Sequence, residues 1–199
     1  MRDVEASLMM SRLSEFVVNL NLYMQATLRC LWILLYMTFA IHANADSCPD
    51  WLNQNMKRLH SSKNVELCTI TSGKPILFVN TASHCGFTPQ FKQLEALHKN
   101  YLEQGLVVIG VASDSFNQEA KSEADIAEIC YRNFGVSFTM LAPTPVKGDN
   151  AHPLFKHLGE ATKPPAWNFN KYLISADRKT IQHFSSSELP SEDDLASYF

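Results

Sequence analysis

ILFVNTASHCGFTPQF, residues 76–91, carries an apolar run into a cysteine and from there straight into helix-start chemistry. Ile76, Leu77, Phe78 and Val79, preceded by Gly73 and Pro75, have the pattern of a short strand buried on both faces of a sheet. Thr88 offers an N-cap oxygen and Pro89 a pre-set first helical residue. From Phe91 the apolar residues recur at Leu94, Leu97 and Tyr101, helical spacing, until Gly105 supplies a stop. Cys85 therefore falls in a strand-to-helix turn, near the positive end of a helix macrodipole, where thiols in general ionise more readily and the thiolate is the reactive form. Spacing alone leaves a second reading open, a small apolar cysteine packed in a core.

Working outward, residues 106–113 (LVVIGVAS) form a second apolar run, and strand, helix, strand in that order implies a βαβ unit with a parallel sheet. Ser122 caps a further helix with Asp125 three residues on; Ile126, Ile129, Cys130 and Phe134 mark its inner face, and Gly135 ends it. Residues 136–141 (VSFTML) are a third strand, followed by a loop punctuated by Pro143, Pro145 and Gly148 and a short helix over residues 151–159. Residues 167–175 and 180–186 read as two strands joined by a turn, a hairpin. Ser191, followed by acidic residues, opens a last helix.

The net charge of −3 and the lack of any Lys/Arg cluster exclude a nucleic-acid surface. Residues 1–45 read as targeting rather than fold. An uncharged apolar segment, residues 30–41, follows Arg29 and leads to Ala43-Asn44-Ala45, a small-x-small cleavage pattern that places the mature N-terminus at Asp46. The segment is shorter than the roughly 20 apolar residues that span a bilayer, although a retained anchor is the alternative. Asp3, Glu5 and Glu15 suit an upstream extension better than a signal peptide, so the start is expected at Met24. The chain is then exported, periplasmic or secreted, and residues 46–199 form one domain with Cys48, Cys68, Cys85 and Cys130. In an oxidising compartment four cysteines allow three pairings. Cys48 and Cys68 are not followed by helix-start chemistry and read as a structural bridge, worth about 3 kcal/mol for a closed loop of this size. His84, His98, His152, His157 and His183 stand at lone positions without metal-ligand spacing, so no metal is expected.

The order of elements resembles a thioredoxin-like α/β/α sandwich with a central mixed sheet, and four strings narrow the resemblance. VNTASHCGFTPQF is similar to the peroxidatic motif of the glutathione peroxidase family; FNQE (116–119), NAHPLFKHL (150–158) and WNF (167–169) resemble its later motifs in the same order. The resemblance places a catalytic tetrad on Cys85, Gln118, Trp167 and Asn168. An indole N–H and two side-chain amides are donors that stabilise a thiolate and a departing oxygen without adding a competing base. The chain departs from the family where ASDSF replaces PCNQFG and leaves the loop one residue shorter before Gln118, and where SFTML lacks a proline. Only about a dozen residues separate HPLF from WNF, where the family's tetrameric members carry a longer insertion, so the resemblance implies a monomer.

What the resemblance implies is a thiol peroxidase that reduces hydrogen peroxide or organic hydroperoxides. It needs no cofactor, and glutathione or a thioredoxin serves as reducing co-substrate. Cys130 is the candidate resolving thiol, but it falls one position earlier than the family's, about 100° round a helix and toward the core. An external thiol is the alternative. A different class of reading also stays open, a non-catalytic redox sensor that signals through a mixed disulfide at Cys85.

Overall fold

A computed structural model describes residues 48–199 and Met24. The expected signal segment and cleavage point, Met24 apart, lie outside the described residues. No helix among the described residues is long and apolar enough to cross a membrane.

The run at residues 76–79 becomes β3 (Ile76–Thr81), buried at every position. It sits at the centre of a five-stranded sheet of order β5-β4-β3-β6-β7, whose other members are β4 (Val107–Ala112), β5 (Thr139–Leu141), β6 (Lys171–Ile174) and β7 (Ile181–Phe184). β3 and β4 run parallel, Ile76 opposite Val107 and Thr81 opposite Ala112, and β5 continues parallel. β6 is antiparallel to β3, with Val79 opposite Lys171, and β7 is antiparallel to β6. The sheet is mixed, as the thioredoxin-like resemblance implies.

Because side chains alternate along a strand, β3 feeds two cores. Leu77 and Val79 pack with Phe91 and Leu94 of α2 (Phe91–Tyr101) and Ile126 of α3 (Glu123–Ala127). Ile76 and Phe78 pack on the other side with Leu154, Phe155 and Leu158 of α4 (Pro153–Ala161). Helices thus cover both faces of the sheet. Their ends follow the sequence chemistry: Ser122 accepts from the Asp125 N–H to cap α3, and Ser191 and Asp194 form a reciprocal capping box on α5 (Glu192–Ala196). Gly105 and Gly135 take φ of +99° and +68° beyond the helices they end.

Several local expectations are corrected. Thr88 does not cap α2; it opens a short 3₁₀ turn (Thr88–Gln90), and the α-helix starts only at Phe91. The third strand is confined to Thr139–Leu141, and residues 167–170 are loop rather than strand, with Phe169 at φ +59°. The helix carrying Cys130 is α only as far as Ala127 and continues as a π-helical turn, Glu128–Asn133. An unanticipated hairpin, β1 (Asn55–Lys57) and β2 (Asn64–Glu66), leads into a one-turn helix, α1 (Leu67–Thr71), which holds Cys68. Cys68 and Cys48 are joined there as a disulfide with Cα atoms 5.8 Å apart, and Trp51 stacks on His157 of α4 at 4.5 Å.

Candidate active site

The turn that follows β3 is built by Thr88. Its hydroxyl accepts from the Cys85 N–H at 3.0 Å and lies within hydrogen-bonding reach of the carbonyls of Ala82, Ser83 and Cys85, nearest the last at 2.7 Å. A residue expected to cap a helix instead ties the Cys85 turn to itself. The Cys85 thiol is free and 7% exposed, and the Phe87 N–H points to its sulfur at 3.4 Å. A backbone N–H aimed at sulfur stabilises negative charge there.

Two further loops converge on this turn. The His84 N–H donates to the Gln118 carbonyl at 2.9 Å, which fixes the shortened loop beside Cys85. Asn117, just before Gln118, takes φ +56°, and Phe169, just after Asn168, takes φ +59°. Each of the two amide-bearing positions is therefore flanked by left-handed backbone, an arrangement that persists only where surrounding structure over-determines it. Asn168 is fully buried, and its Nδ2 donates to Gln118 Oε1 at 3.0 Å. Gln118 thus keeps both side-chain N–H donors available and is oriented by Asn168, which spends one of its own two on that bond. Trp167 is 41% exposed and packs against Phe116 at 5.2 Å, with the Lys147 ammonium 4.4 Å over the Phe116 ring. Gln118, Asn168 and the Cys85 turn are directly linked by hydrogen bonds, and Trp167 is carried by the same segment as Asn168.

At the Phe169 segment the overdetermining residue is Asn80, which the sequence reading missed. It is fully buried in β3, directly after the apolar run 76–79. Its Nδ2 donates to the Trp167 carbonyl at 3.0 Å, its Oδ1 accepts from the Asn170 N–H at 3.0 Å, and its backbone carbonyl accepts from the Phe169 N–H at 2.6 Å. An amide in an otherwise apolar buried strand was the available signal, because such a group is buried only with its hydrogen bonds met.

Glu119 was missed as well. Its Oε1 accepts from the Ser83 and Ala120 N–H groups at 2.9 Å and from the Ser83 hydroxyl, whereas its Oε2 is buried without a partner among the described residues. Burial raises its pKa, against the lowering effect of the Ser83 hydroxyl. Cys130 is 1% exposed in the π turn, and its thiol is pushed up to about 12, first by burial and then by the Glu119 charge. At neutral pH it is a protonated thiol inside the core. Among the described residues no group of His, Cys, Asp and Glu could hold a metal ion.

The glutathione peroxidase family profile matches residues 54–159. A glutathione peroxidase-like peroxiredoxin of Schizosaccharomyces pombe is 41% identical over 133 residues, 63% of this chain and 84% of that protein. A glutathione peroxidase homologue of Bacillus subtilis is 42% identical over 133 residues, 62% of this chain and 83% of that one. The crystal structure of Trgpx in its apo form superposes with a TM-score of 0.58 at 29% identity, covering 76% of this chain and 96% of that one. With its thioredoxin-like sheet and the Cys85, Gln118 and Asn168 segments joined at one end of it, the chain belongs to the glutathione peroxidase family.

Proposed function

We propose that this chain is an exported, monomeric thiol peroxidase in which Cys85 reduces hydrogen peroxide or an organic hydroperoxide. The observation that carries the reading is the meeting of the three loops, in which the Asn168 amide holds Gln118 and the Gln118 carbonyl holds the residue before Cys85. The Cys85 thiolate attacks the terminal peroxide oxygen, the O–O bond breaks, and the sulfur leaves the step as a sulfenic acid. The departing oxygen takes a proton and leaves as water or alcohol. The Phe87 N–H, the Gln118 amide and the Trp167 indole are donors suited to the charge that develops on sulfur and oxygen. The chemistry uses the protein's own sulfur, with neither cofactor nor metal.

A second thiol then condenses with the sulfenic acid, releasing water and forming a disulfide. Cys130 reaches that step only when the π turn opens locally, since its thiol is buried within it. Glutathione or a thioredoxin-like protein is the reductant that completes the cycle. Export also places Cys48 and Cys68 where a disulfide persists; their bond ties the mature N-terminus to α1.

Peroxide consumption measured in parallel with glutathione and with a thioredoxin system tests the proposal. Turnover with either supports it. Oxidation of Cys85 without turnover by any thiol favours the redox-sensor reading instead.

A further inference from the structure

Lys171, the first residue of β6, is fully buried, a placement that is costly for an ammonium unless its donors are met. Among the described residues it forms no salt bridge. Its Nζ donates to three backbone carbonyls of one loop, Glu188 at 2.6 Å, Ser186 at 2.9 Å and Ser185 at 3.3 Å. Three donors meeting three carbonyls gather residues 185–188 around a single charge.

That loop touches the active site on two sides. The Ser186 hydroxyl donates to the Asn168 carbonyl at 2.6 Å and accepts from Asn170 Nδ2 at 3.0 Å. The Ser186 carbonyl also accepts from Gln90 Nε2 at 2.7 Å, in the 3₁₀ turn that follows Cys85. Asn168 and the Cys85 turn are thus both referenced to a loop whose shape depends on Lys171.

We propose that Lys171 is a positioning residue for peroxide reduction: its ammonium holds the 185–188 loop, and through Ser186 fixes Asn168 against Gln118 and Gln90 below Cys85. The inference rests on the peroxidase reading of Cys85. Burial lowers Lys171 to about 8, opposed by the Glu188 charge. The charged groups around it are Glu188, His183 on β7 and Lys163, which acts on His183. The Glu188 carboxylate accepts from the Ser185 N–H at 2.7 Å and lies below its usual range, while His183 is lowered mainly by burial. Both hold one protonation state above pH 7. Deprotonated Lys171 keeps two N–H donors for three carbonyls, so the grip weakens as pH rises through this range.

The test is the rate constant for Cys85 oxidation by hydrogen peroxide, followed by stopped flow in the wild-type protein, Lys171→Met and Ser186→Ala from pH 7 to 9.5. At pH 7 Lys171→Met is expected to be slower by roughly 10- to 100-fold, the scale of a small misplacement near reacting atoms, and Ser186→Ala slower by less. The ratio of wild-type to Lys171→Met rates is expected to fall toward one as pH passes about 8; a merely structural loss keeps that ratio constant. Far-UV circular dichroism reports whether Lys171→Met folds. If it does not, Ser186→Ala carries the test, because it leaves Lys171 in place. A pH-independent ratio, or Ser186→Ala oxidised at the wild-type rate throughout, overturns the proposal. Wild-type protein inert to peroxide overturns the peroxidase reading itself.

Discussion

Cys85 and Cys130 belong to the same apolar cluster and are both free, yet their surroundings differ in kind. Cys85 lies at the end of a central strand, in a turn closed by the Thr88 hydroxyl, with a backbone N–H directed at its sulfur. Cys130 lies inside a π-helical turn, 1% exposed, with its thiol pushed up to about 12 and a buried carboxylate nearby. Burial by itself does not separate a nucleophile from a core residue. The separation comes from what faces the sulfur: the Phe87 N–H is directed at Cys85, whereas deeper burial and the Glu119 charge push the Cys130 thiol up.

The comparison breaks most simply at Cys85. Cys85→Ser is expected to abolish peroxide consumption with the fold retained, since a hydroxyl matches the thiol in size but not in nucleophilicity. Peroxide turnover by this variant with the remaining thiols blocked would remove Cys85 from the mechanism. Next in size come the neighbours that Cys130 lacks. Trp167→Phe removes the indole N–H and is expected to slow Cys85 oxidation by an amount on the order of 2.7–4 kcal/mol, the value of one preorganised donor. Asn168→Ala frees Gln118 and is expected to slow the same step by roughly 10- to 100-fold, the scale of a small misplacement. Wild-type stopped-flow rates in both variants would contradict the assignment.

Cys130→Ala sharpens the comparison from the other side. It is expected to leave the first oxidation step at the wild-type rate and to retain turnover with glutathione, while abolishing a Cys85–Cys130 peptide that mapping finds after one equivalent of peroxide without external thiol. Absence of that peptide in the wild-type protein would leave a one-cysteine enzyme served by an external thiol.

The smallest effect is expected at Glu119. Its folded pKa is raised above the ordinary 4.5, so above that value the folded state holds the proton more tightly than the unfolded one. Stability from this group is full below about 4.5 and is lost as pH rises through the folded pKa. Glu119→Gln cannot titrate, so its urea midpoint relative to wild type should improve between pH 4.5 and 7. A constant difference across that interval would show that Glu119 is not buried as described.

Much of the architecture is legible in local chemistry. The apolar run at residues 76–79, the caps at Ser122 and Ser191 and the stops at Gly105 and Gly135 all depend on neighbours within a few residues, and period and capping report such neighbours directly. Cys85 is legible for the same reason, because its strand and helix adjoin it in the chain. The short hairpin of β1 and β2 escaped because its strands are three residues each, too short for a period to emerge.

What only the tertiary structure decided is how distant polar groups meet. Thr88 has the sequence of a helix cap, but three carbonyls of the preceding turn lie within reach of its hydroxyl and the helix begins three residues later. Lys171 and Ser186 carry no motif of their own, and the motif string that contains Asn80 does not name its partners; these lie up to 96 residues away in the chain. Hydrogen bonds over such separations are set by the pairing of β3 with β6 and by loop closure, neither of which leaves a local pattern. The residues that bear the chemistry are thus largely written in the sequence, while those that hold them in position are specified by which buried polar groups have to find partners once the sheet has formed.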